Sequence, residues 1–521
     1  MRNLRPASSA TPMDPERTLG YPPRRGVRSR FATALAALLL AACSGLPAAP
    51  PPAPEFAFAP SYRGSDDSAP YRALQWWRDF EDPALDRVVD AVLDANASLE
   101  TAVARLEQAR AVARIDRAPL FPFARPSLGA EDLDGPANAG FGAQLQALGL
   151  GADEFAGFGI AFPDRLGYPT YSVAAEFAWE TDFWGRRRNV VHAAEANRAA
   201  AEADLVAARI GILAETVATW IEIAGLRQQR TLAGETIGIL EQAERLASDR
   251  YDRGLDATGP QHVARRNLHT ARANMPQLDA QLADAEGRLW RLLGGYRAEL
   301  ADMLPEAPPV PLAGIPVGVP ADLLRQRPDV YAARLRLEAA GAELGARRAE
   351  LLPSLSFAGV IGLTGAETGD WFDPSQWFRN LSANLLGPAF QGARLQAQTA
   401  LARGRLDETA AAYRGAVVTA VNEVETALAG WQAGHRRHAL LAAAAAAANN
   451  HARLQEQRYK AGLADLAEVL TSAQDRVLAD SAVAAARRDL GLARLALHRA
   501  LGGAWTEPAA ASERPPTLAA R

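Results

Sequence analysis

Residues able to do chemistry are sparse in this chain of 521 residues, and they form no catalytic set. The sequence has no phosphate-binding loop, no dinucleotide-binding glycine pattern, and no CxxC or HExxH zinc motif. His435 and His438 would share one helix face, but Arg436 and Arg437 between them are typical of a solvated surface. We therefore expect neither an enzyme nor a metal site.

The single cysteine, Cys43, follows a segment with the pattern of a signal peptide. An arginine-rich stretch precedes an apolar run over 31–42, which is shorter than the ~20 residues of a membrane-spanning helix. The letters LAAC at 40–43 resemble a bacterial lipobox, in which the signal is cut before the cysteine and the cysteine is acylated. We predict a signal peptide over 1–42 and a covalent lipid on Cys43, with no other cofactor. A buried free thiol is the alternative.

A proline- and alanine-rich stretch follows Cys43 and predicts a stiff, extended segment. We assign 43–70 to a lipid-anchored tether rather than to a core. Apolar residues at helical spacing begin near Pro83 and end by Pro122, because proline cannot continue a helix.

Two much longer helical stretches lie at 186–293 and 392–501. The first is interrupted near Gly254 and Pro260, and the second near Gly462. Glycine at such a break predicts a tight turn, so each stretch is predicted to be a hairpin with arms of about 40 to 65 residues.

Strand patterns separate the helices. Apolar and polar side chains alternate through 171–180, 354–363 and 381–385, and the glycine- and aromatic-rich segment 123–169 has few helix signals. The alternation predicts strands with one apolar face, close to the length of about 9–11 residues that a membrane-spanning strand requires.

The two halves of the chain repeat each other. Three features recur at one offset of 208 residues: RYDRGL at 250–255 and RYKAGL at 458–463, LGG at 293–295 and at 501–503, and Glu215 and Glu423. Each half is thus predicted to run helix, strand, loop, strand, long helix, turn, long helix. We place the first repeat at 71–300, the second at 301–505, and a flexible tail at 506–521.

Four strands from one chain cannot close a barrel. Open strand edges in lipid leave backbone N–H and C=O groups unpaired, at a cost of several kcal/mol each. The chain must therefore borrow edges from copies of itself, and three copies supply enough strands to close around a wide lumen.

Three further blocks resemble those of one family. They are W..F.DP.L at 77–85, WETDFWGR at 179–186, and LLRQRPDV at 323–330 followed by LPS at 352–354. These blocks are similar to the TolC/OprM superfamily of outer-membrane factors, in its lipoprotein (NodT-like) branch, over nearly the whole mature chain. Arg334 departs from the pattern, since it stands near where the family usually has glutamate.

The resemblance implies an α+β membrane protein with an internal two-fold repeat. The expected assembly is a homotrimer with four β-strands per protomer, which form a 12-stranded outer-membrane barrel continued by a long periplasmic α-helical barrel. A lipid-anchored channel of this kind contacts outer-membrane lipid and docks, through a periplasmic adaptor protein, onto an inner-membrane pump of the resistance-nodulation-division type.

The resemblance also assigns roles to the two turns. As the periplasmic tips, they would dock the adaptor through Tyr251, Gly254, Leu255, Tyr459, Gly462 and Leu463. Carboxylates just beyond the second tip, Asp465 and Glu468, would ring the pore gate and favour cations. In the first half Pro260 stands where Glu468 stands in the second, although Asp256 is near. The alternative is an ordinary helical turn with solvated charges.

Two functions fit this architecture. We expect a passive exit duct for small molecules such as drugs, in a tripartite efflux system. An exit channel of a type I protein secretion system is the alternative, and the lipobox and the RPD block favour the first. A coiled-coil spacer without a pore is opposed by the alternating strands. The net charge of −4 gives no support for nucleic-acid binding.

Overall fold

The computed structural model describes residues 54–63, 69–71, 75–136, 144, 147–149, 165–295, 304, 314–367, 369–370, 373–503 and 505. Cys43, the predicted signal peptide and the predicted C-terminal tail lie outside these residues. Every structural statement below concerns the described part of the chain.

The two halves place their elements in the same order. The first half holds α1 (Pro83–Ala95), α2 (Ala97–Arg117), β1 (Phe123–Pro136), β2 (Arg165–Thr181), α3 (Arg186–Asp252) and α4 (Thr258–Leu292). The second holds α5 (Leu323–Gln326), α6 (Pro328–Ala349), β3 (Ser354–Gly365), β4 (Trp377–Leu386), α7 (Arg394–Lys460) and α8 (Leu466–Ala500). Short 3-10 turns lie at Trp76–Phe80, Ala118–Leu120, Pro320–Asp322 and Pro374–Gln376. The predicted repeat, hairpins and strands are confirmed.

Helices α1 and α2 begin at residues that cap them. Asp82 Oδ1 accepts a hydrogen bond from the Ala84 amide at 2.9 Å, and Pro83 occupies the first turn of α1, where no amide hydrogen is needed. Asn96 caps α2 in the same way through the amides of Ser98 and Leu99. These local bonds fix where the chain turns toward the membrane-side strands.

In each hairpin the two helices pack through a row of small and apolar side chains. On α4 the row that is at least partly buried against α3 advances by three and four residues through Ala264, Leu268, Ala271, Met275, Leu278 and Leu282. This spacing keeps one seam facing the partner helix, as in a coiled coil. Ion pairs between α3 and α4 flank the seam, among them Arg230–Asp279 at 2.7 Å and Arg272–Glu241 at 2.7 Å.

The four strands form one antiparallel sheet in the order β1-β2-β3-β4. Trp179 lies opposite Phe357 in the register, and their rings stack with centroids 6.3 Å apart. One face of the sheet is mostly apolar: Leu128, Tyr171, Val173, Phe177, Trp179, Leu355, Phe357, Ile361, Leu363, Trp377, Leu381 and Leu385. Arg379, opposite Ile361, and the paired Arg165 and Asp134 also lie on this face. The other face carries Ser172, Glu176, Ser356, Asn380, Ser382 and Asn384. A membrane-spanning wall requires this division.

Helices continue the sheet in the same order. Each strand adjoins one helix (β1 with α2, β2 with α3, β3 with α6, β4 with α7), and the neighbours in contact are α2 with α3, α3 with α6, and α6 with α7. Sheet and helices therefore form one continuous wall. At the α3–α6 seam, Ala193, Ala196, Ala339 and Ala342 are buried, and their small side chains let the two helices approach closely.

Each half has its own core where the short helices meet the hairpin. Trp76, Trp77 and Phe80 pack with Trp220 and Leu289 in the first. The second includes Tyr62, Tyr71, Val330, Tyr413 and Leu497. Here the structure differs from the tether prediction. The Phe56 ring lies 5.6 Å from that of Tyr413, because aromatic side chains at the end of the tether gain by burial.

Equivalent joints close the two cores. Asn96 Nδ2 donates to Leu292 O at 2.8 Å, and Arg327 Nη1 donates to Ala500 O at 3.1 Å. Leu292 and Ala500 are 208 residues apart, so the acceptor atom is the same in both repeats. The donor differs: a neutral amide serves in the first half and a guanidinium in the second.

Among the described residues, no helix combines the length and the apolar character needed to cross a membrane. The hairpin arms differ from the predicted lengths of about 40 to 65 residues. Helices α3 and α7 have 67 residues each, and α4 and α8 have 35 each.

Candidate functional site: the paired hairpin tips

The two predicted tips fold as the same turn. In the first, Leu255 N donates to Arg250 O at 2.8 Å and Gly254 N donates to Tyr251 O at 2.8 Å. This pair of bonds is a Schellman motif, which needs a left-handed residue, and Gly254 supplies it with φ of 70°. In the second tip Leu463 N donates to Arg458 O at 2.8 Å, and Gly462 has φ of 73°.

The apolar side chains of both tips face solvent. Leu255 is 65% exposed and Leu463 is 69% exposed, and Tyr251 and Tyr459 are exposed too. Leucine side chains in a folded core are buried, whereas these two are exposed at equivalent positions of the two repeats. They form a surface suited to a protein partner.

Arg250 joins the two tips within one protomer. Its Nε donates to Asp256 Oδ2 at 2.7 Å, and its Nη1 lies 4.0 Å from Asp465 Oδ2 on the other hairpin. The hydrogen bond from Arg250 lowers the pKa of Asp256 below its ordinary value. Arg458, the equivalent arginine, instead donates to Leu463 O at 3.2 Å.

The predicted gate residues lie at the start of α8. Asp465 is its N-cap, and its carboxylate accepts from the Ala467 amide at 3.4 Å. Glu468 lies in the first turn, with its side chain exposed. A cavity of about 320 Å³ near the tips is lined by residues of both hairpins, among them Arg250, Asp256 and Asp465. Asp465 therefore lies close to the first tip, whereas the side chain of Glu468 faces solvent on α8.

Other sequence candidates fall elsewhere. His435 and His438 are half-buried on α7, where the His435 ring lies 5.8 Å from that of Trp431. Burial, and then Arg487, lower the pKa of His438. In the described ranges, no three His, Cys, Asp or Glu side chains are arranged to hold a metal ion. Cys43 lies outside the described residues, so its modification stays a prediction.

Sequence reasoning missed the role of Arg250. The arginine was visible as a repeated position, but its partners are not repeated: Ala464 replaces Asp256 in the second half, and Ala257 replaces Asp465 in the first. The available signal was that both repeats have the arginine, whereas each of the two acidic residues occurs in only one repeat. It also missed that Arg327 of the RPD block bonds Glu423, at 2.6 Å.

A sheet with one apolar and one polar face, continued by long helices in the same order, defines a membrane-channel class of protein. The particular family follows from sequence comparison. A family model described as "Outer membrane efflux protein" matches residues 88–295 and 319–503. The chain belongs to this family, and it is an outer-membrane efflux component.

Curated relatives agree. Outer membrane protein OprJ of Pseudomonas aeruginosa is 30% identical over 477 residues, covering 91% of this chain and 95% of that protein. The toluene efflux pump outer membrane protein TtgC of Pseudomonas putida is 27% identical over 488 residues, covering 92% and 96%. These relatives support efflux over the protein-secretion alternative.

Solved structures share the fold. The outer-membrane channel OprN superposes with a TM-score of 0.75 at 26% identity, covering 87% of this chain and 99% of that chain. The open-state MtrE outer membrane channel of Neisseria gonorrhoeae gives a TM-score of 0.71 at 23% identity, covering 87% and 97%. The α+β fold class is confirmed, and the structures that share it are trimeric channels of the outer membrane.

Proposed function

We propose that this protein works as a homotrimeric, passive exit duct of a tripartite efflux system, carrying small molecules such as drugs. The observation that carries the proposal is the continuous wall: four strands and four helices in one shared order, with an open edge at each side. A wall with two unpaired edges needs neighbours, and a ring of identical copies supplies them.

The open edges carry apolar side chains suited to a second copy. At the β1 edge Ile115 of α2 is 68% exposed, and at the β4 edge Leu385 is 68% exposed. Leu401 of α7 and Leu128 of β1 are exposed as well. Pairing β4 of one copy with β1 of the next completes the backbone hydrogen bonds of both strands and leaves Leu128 and Leu385 on the apolar face toward lipid. The same pairing brings α7 of one copy beside α2 of the next, which covers Leu401 and Ile115.

The tips are the proposed docking surface for a periplasmic adaptor, which links the duct to an inner-membrane pump of the resistance-nodulation-division type. Tyr251, Leu255, Tyr459 and Leu463 are exposed on identical turns, which suits one adaptor segment binding both hairpins. Gly254 and Gly462 hold these turns in shape.

Asp465 and Glu468 are the proposed gate. In a trimer each forms a ring of three carboxylates, which attracts cations and repels anions at the constriction. Arg250 lies near Asp465 in the same protomer, so part of the negative charge there is balanced and Glu468 keeps its own.

Cys43 is the proposed lipid anchor. A covalently attached acyl group there holds the chain to the outer membrane, and the described tether packs on the second core from Phe56 onward. Replacing Cys43 with alanine should abolish labelling by a radioactive or clickable fatty acid. Persistent labelling of the variant would place the lipid elsewhere.

A conductance experiment tests the duct and its gate. The purified protein in planar bilayers should form a cation-favouring channel, and Glu468→Gln should lower the cation-to-anion permeability ratio. Glu456→Gln is the matched control, since it removes one carboxylate near the tip that pairs with Lys460 at 2.6 Å. Equal ratios for wild type and Glu468→Gln would move the gate away from this residue.

Deleting the gene tests the wider role. The deleted strain should become sensitive to pump substrates, and the wild-type gene should restore resistance. A strain that instead fails to secrete a protein, with unchanged drug sensitivity, would overturn the efflux proposal.

A further inference from the structure

One flank of α4 carries uncharged side chains, polar except for Val263, where the other carries ion pairs. Six exposed residues repeat at spacings of four and three along the first flank: Val263, Asn267, Thr270, Asn274, Gln277 and Gln281. We call them the amide row. Arg266 lies beside this row and donates to Asn267 Oδ1 at 3.2 Å. The opposite flank holds Arg265, Arg272 and Asp279, which pair with Glu244, Glu241 and Arg230 of α3.

The amide row does not suit contact with a neighbouring copy. The outward side of α7, the helix at the other open edge, exposes Leu440, Ala443, Ala447 and Leu454, with Asn450 as the polar side chain at the same spacing. The four apolar side chains have no hydrogen-bonding group, so an amide buried against them would cost about 1–3 kcal/mol. Ala273 and Ala280 lie on the side of α4 away from α3, and they fit that α7 surface.

The internal repeat indicates whether the amide row faces the lumen or the outside of the duct. The residues 208 positions after Val263, Asn267 and Thr270 are Thr471, Asp475 and Leu478 of α8. These three are exposed, and with Glu468 they continue at spacings of three and four along one side of α8. Because the halves repeat around the duct, the row on α4 and the row on α8 face the same direction.

We propose that the amide row lines the lumen and keeps one wall of the duct free of acidic side chains. The inference rests on the proposed function, which places Glu468 at the aperture. From Val263 to Gln281 this wall extends about 27 Å along α4. The equivalent α8 wall carries Glu468 and Asp475 over its first turns. Each protomer thus offers one acidic track and one amide track.

A neutral track of amides suits solutes that an acidic wall repels. Asn274, Gln277 and Gln281 donate and accept hydrogen bonds without fixing a counter-ion, so water-soluble anions and neutral molecules pass beside them. In a trimer, three such tracks alternate with three acidic ones. The duct then carries solutes of either charge although its tip favours cations.

Cysteine accessibility tests the inference in full-length, lipidated protein. The chain has one cysteine, Cys43, whose thiol is consumed by the proposed lipid, so an introduced thiol is the reactive one. We expect a charged methanethiosulfonate reagent to lower the conductance of Asn274→Cys channels by at least half. Ala273→Cys is the matched control on the adjacent side of α4, and its conductance should not change.

The outcomes separate the two proposals. A wild-type protein that forms no channel contradicts the proposed function. A channel that conducts normally, but whose labelled Asn274→Cys and Gln281→Cys variants conduct like wild type, contradicts the amide row as lumen wall. Disulfides between copies at Asn274→Cys, or protection of Asn274→Cys by an adaptor, would also overturn it. An Asn274→Asp variant should raise the cation-to-anion permeability ratio about twofold, because it adds three negative charges to the lumen.

Discussion

The two halves of the molecule keep the same backbone bonds and differ in charge. Both close their cores on an equivalent carbonyl, Leu292 O or Ala500 O, but Asn96 donates in one and Arg327 in the other. Both joints also use a left-handed glycine, Gly294 or Gly502, at which a Cβ would collide with a backbone carbonyl. The repeat therefore preserves the backbone geometry, while the side chains on that backbone have diverged.

The tips show the same divergence with a functional result. Both have one Schellman turn and one arginine, yet the second half alone has an acidic cap and an acid in the first turn of its outgoing helix, Asp465 and Glu468. Ala257 and Pro260 hold those places in the first half. The second half therefore supplies the acidic residues at the start of the outgoing helix, whereas an exact repeat would have placed them in both halves.

The largest expected effect comes from the joints. Arg327→Met removes bonds to Asp329 and Glu423, each 2.6 Å long, and one to Ala500 O, so it should destabilise the protein by about 3 kcal/mol. Asn96→Ala should cost about 1–2 kcal/mol, because it removes a neutral bond and a helix cap. Denaturant titration in detergent compares them. Equal losses would mean that charge adds nothing to the second joint.

Acid should weaken the packing between the two cores, because His498 contacts both. Its ring stacks on that of Trp76 in the first core, with centroids 5.5 Å apart. His498 is buried, its Nδ1 lies 2.9 Å from the Tyr71 hydroxyl, and burial followed by Arg494 lowers its pKa from 6.5 to about 3. Since the unfolded chain takes up the proton first, the stability that the neutral ring provides is complete above pH 6.5 and is lost as pH falls toward 3.

At pH 5 this loss should be about 2 kcal/mol relative to pH 7. Trp290 stands at the equivalent place in the first half and does not titrate. A His498→Phe variant should therefore lose this part of the pH dependence, measured by unfolding at several pH values. An unchanged slope would assign the acid sensitivity to other groups.

Glycine at the two turns should matter equally. Gly254→Ala and Gly462→Ala each place a side chain on a left-handed residue, with no atom within 4 Å of the new Cβ, so each should cost about 1 kcal/mol from backbone strain alone. Thermal unfolding measures both. A much larger loss at one turn would show that the two tips are not equivalent.

The smallest stability effect is expected at Arg250, whose contacts are exposed to solvent. Arg250→Ala frees Asp256 and Asp465 from a guanidinium and should raise cation selectivity in planar bilayers, with little change in unfolding temperature. Arg458→Ala, which loses no acidic partner, should leave selectivity nearly unchanged. Asp256 should become neutral at a lower pH when Arg250 is present than in Arg250→Ala, because Arg250 lowers the pKa of that carboxylate.

Much of the fold follows from periodicity in the sequence. The hairpins and three of the strands have unbroken patterns, so their positions could be predicted. β1 could be placed only within a broad segment, because Pro126, Gly129, Gly135 and Pro136 interrupt its alternation and pairing with β2 overrides local preference. The β1–β2 register depends on that pairing and could not be predicted locally.

The candidate site divides in the same way. The turns at Gly254 and Gly462 could be predicted, because few residues other than glycine adopt the left-handed conformation. The Arg250–Asp465 contact could not, since it joins residues 215 positions apart on separate hairpins. Nor could the aromatic end of the tether, where burial of Phe56 and Tyr62 outweighs a composition typical of an extended linker.

The uninterrupted length of α3 has a mechanical consequence. Its 67 residues extend about 100 Å, from the last residues of β2 to the first tip. A rigid lever of that length turns a tilt of about 3° at its base into a displacement of about 5 Å at its end. A tilt of this size leaves the alanine seam with α6 in place. It nevertheless separates the tips by enough to admit a row of water molecules.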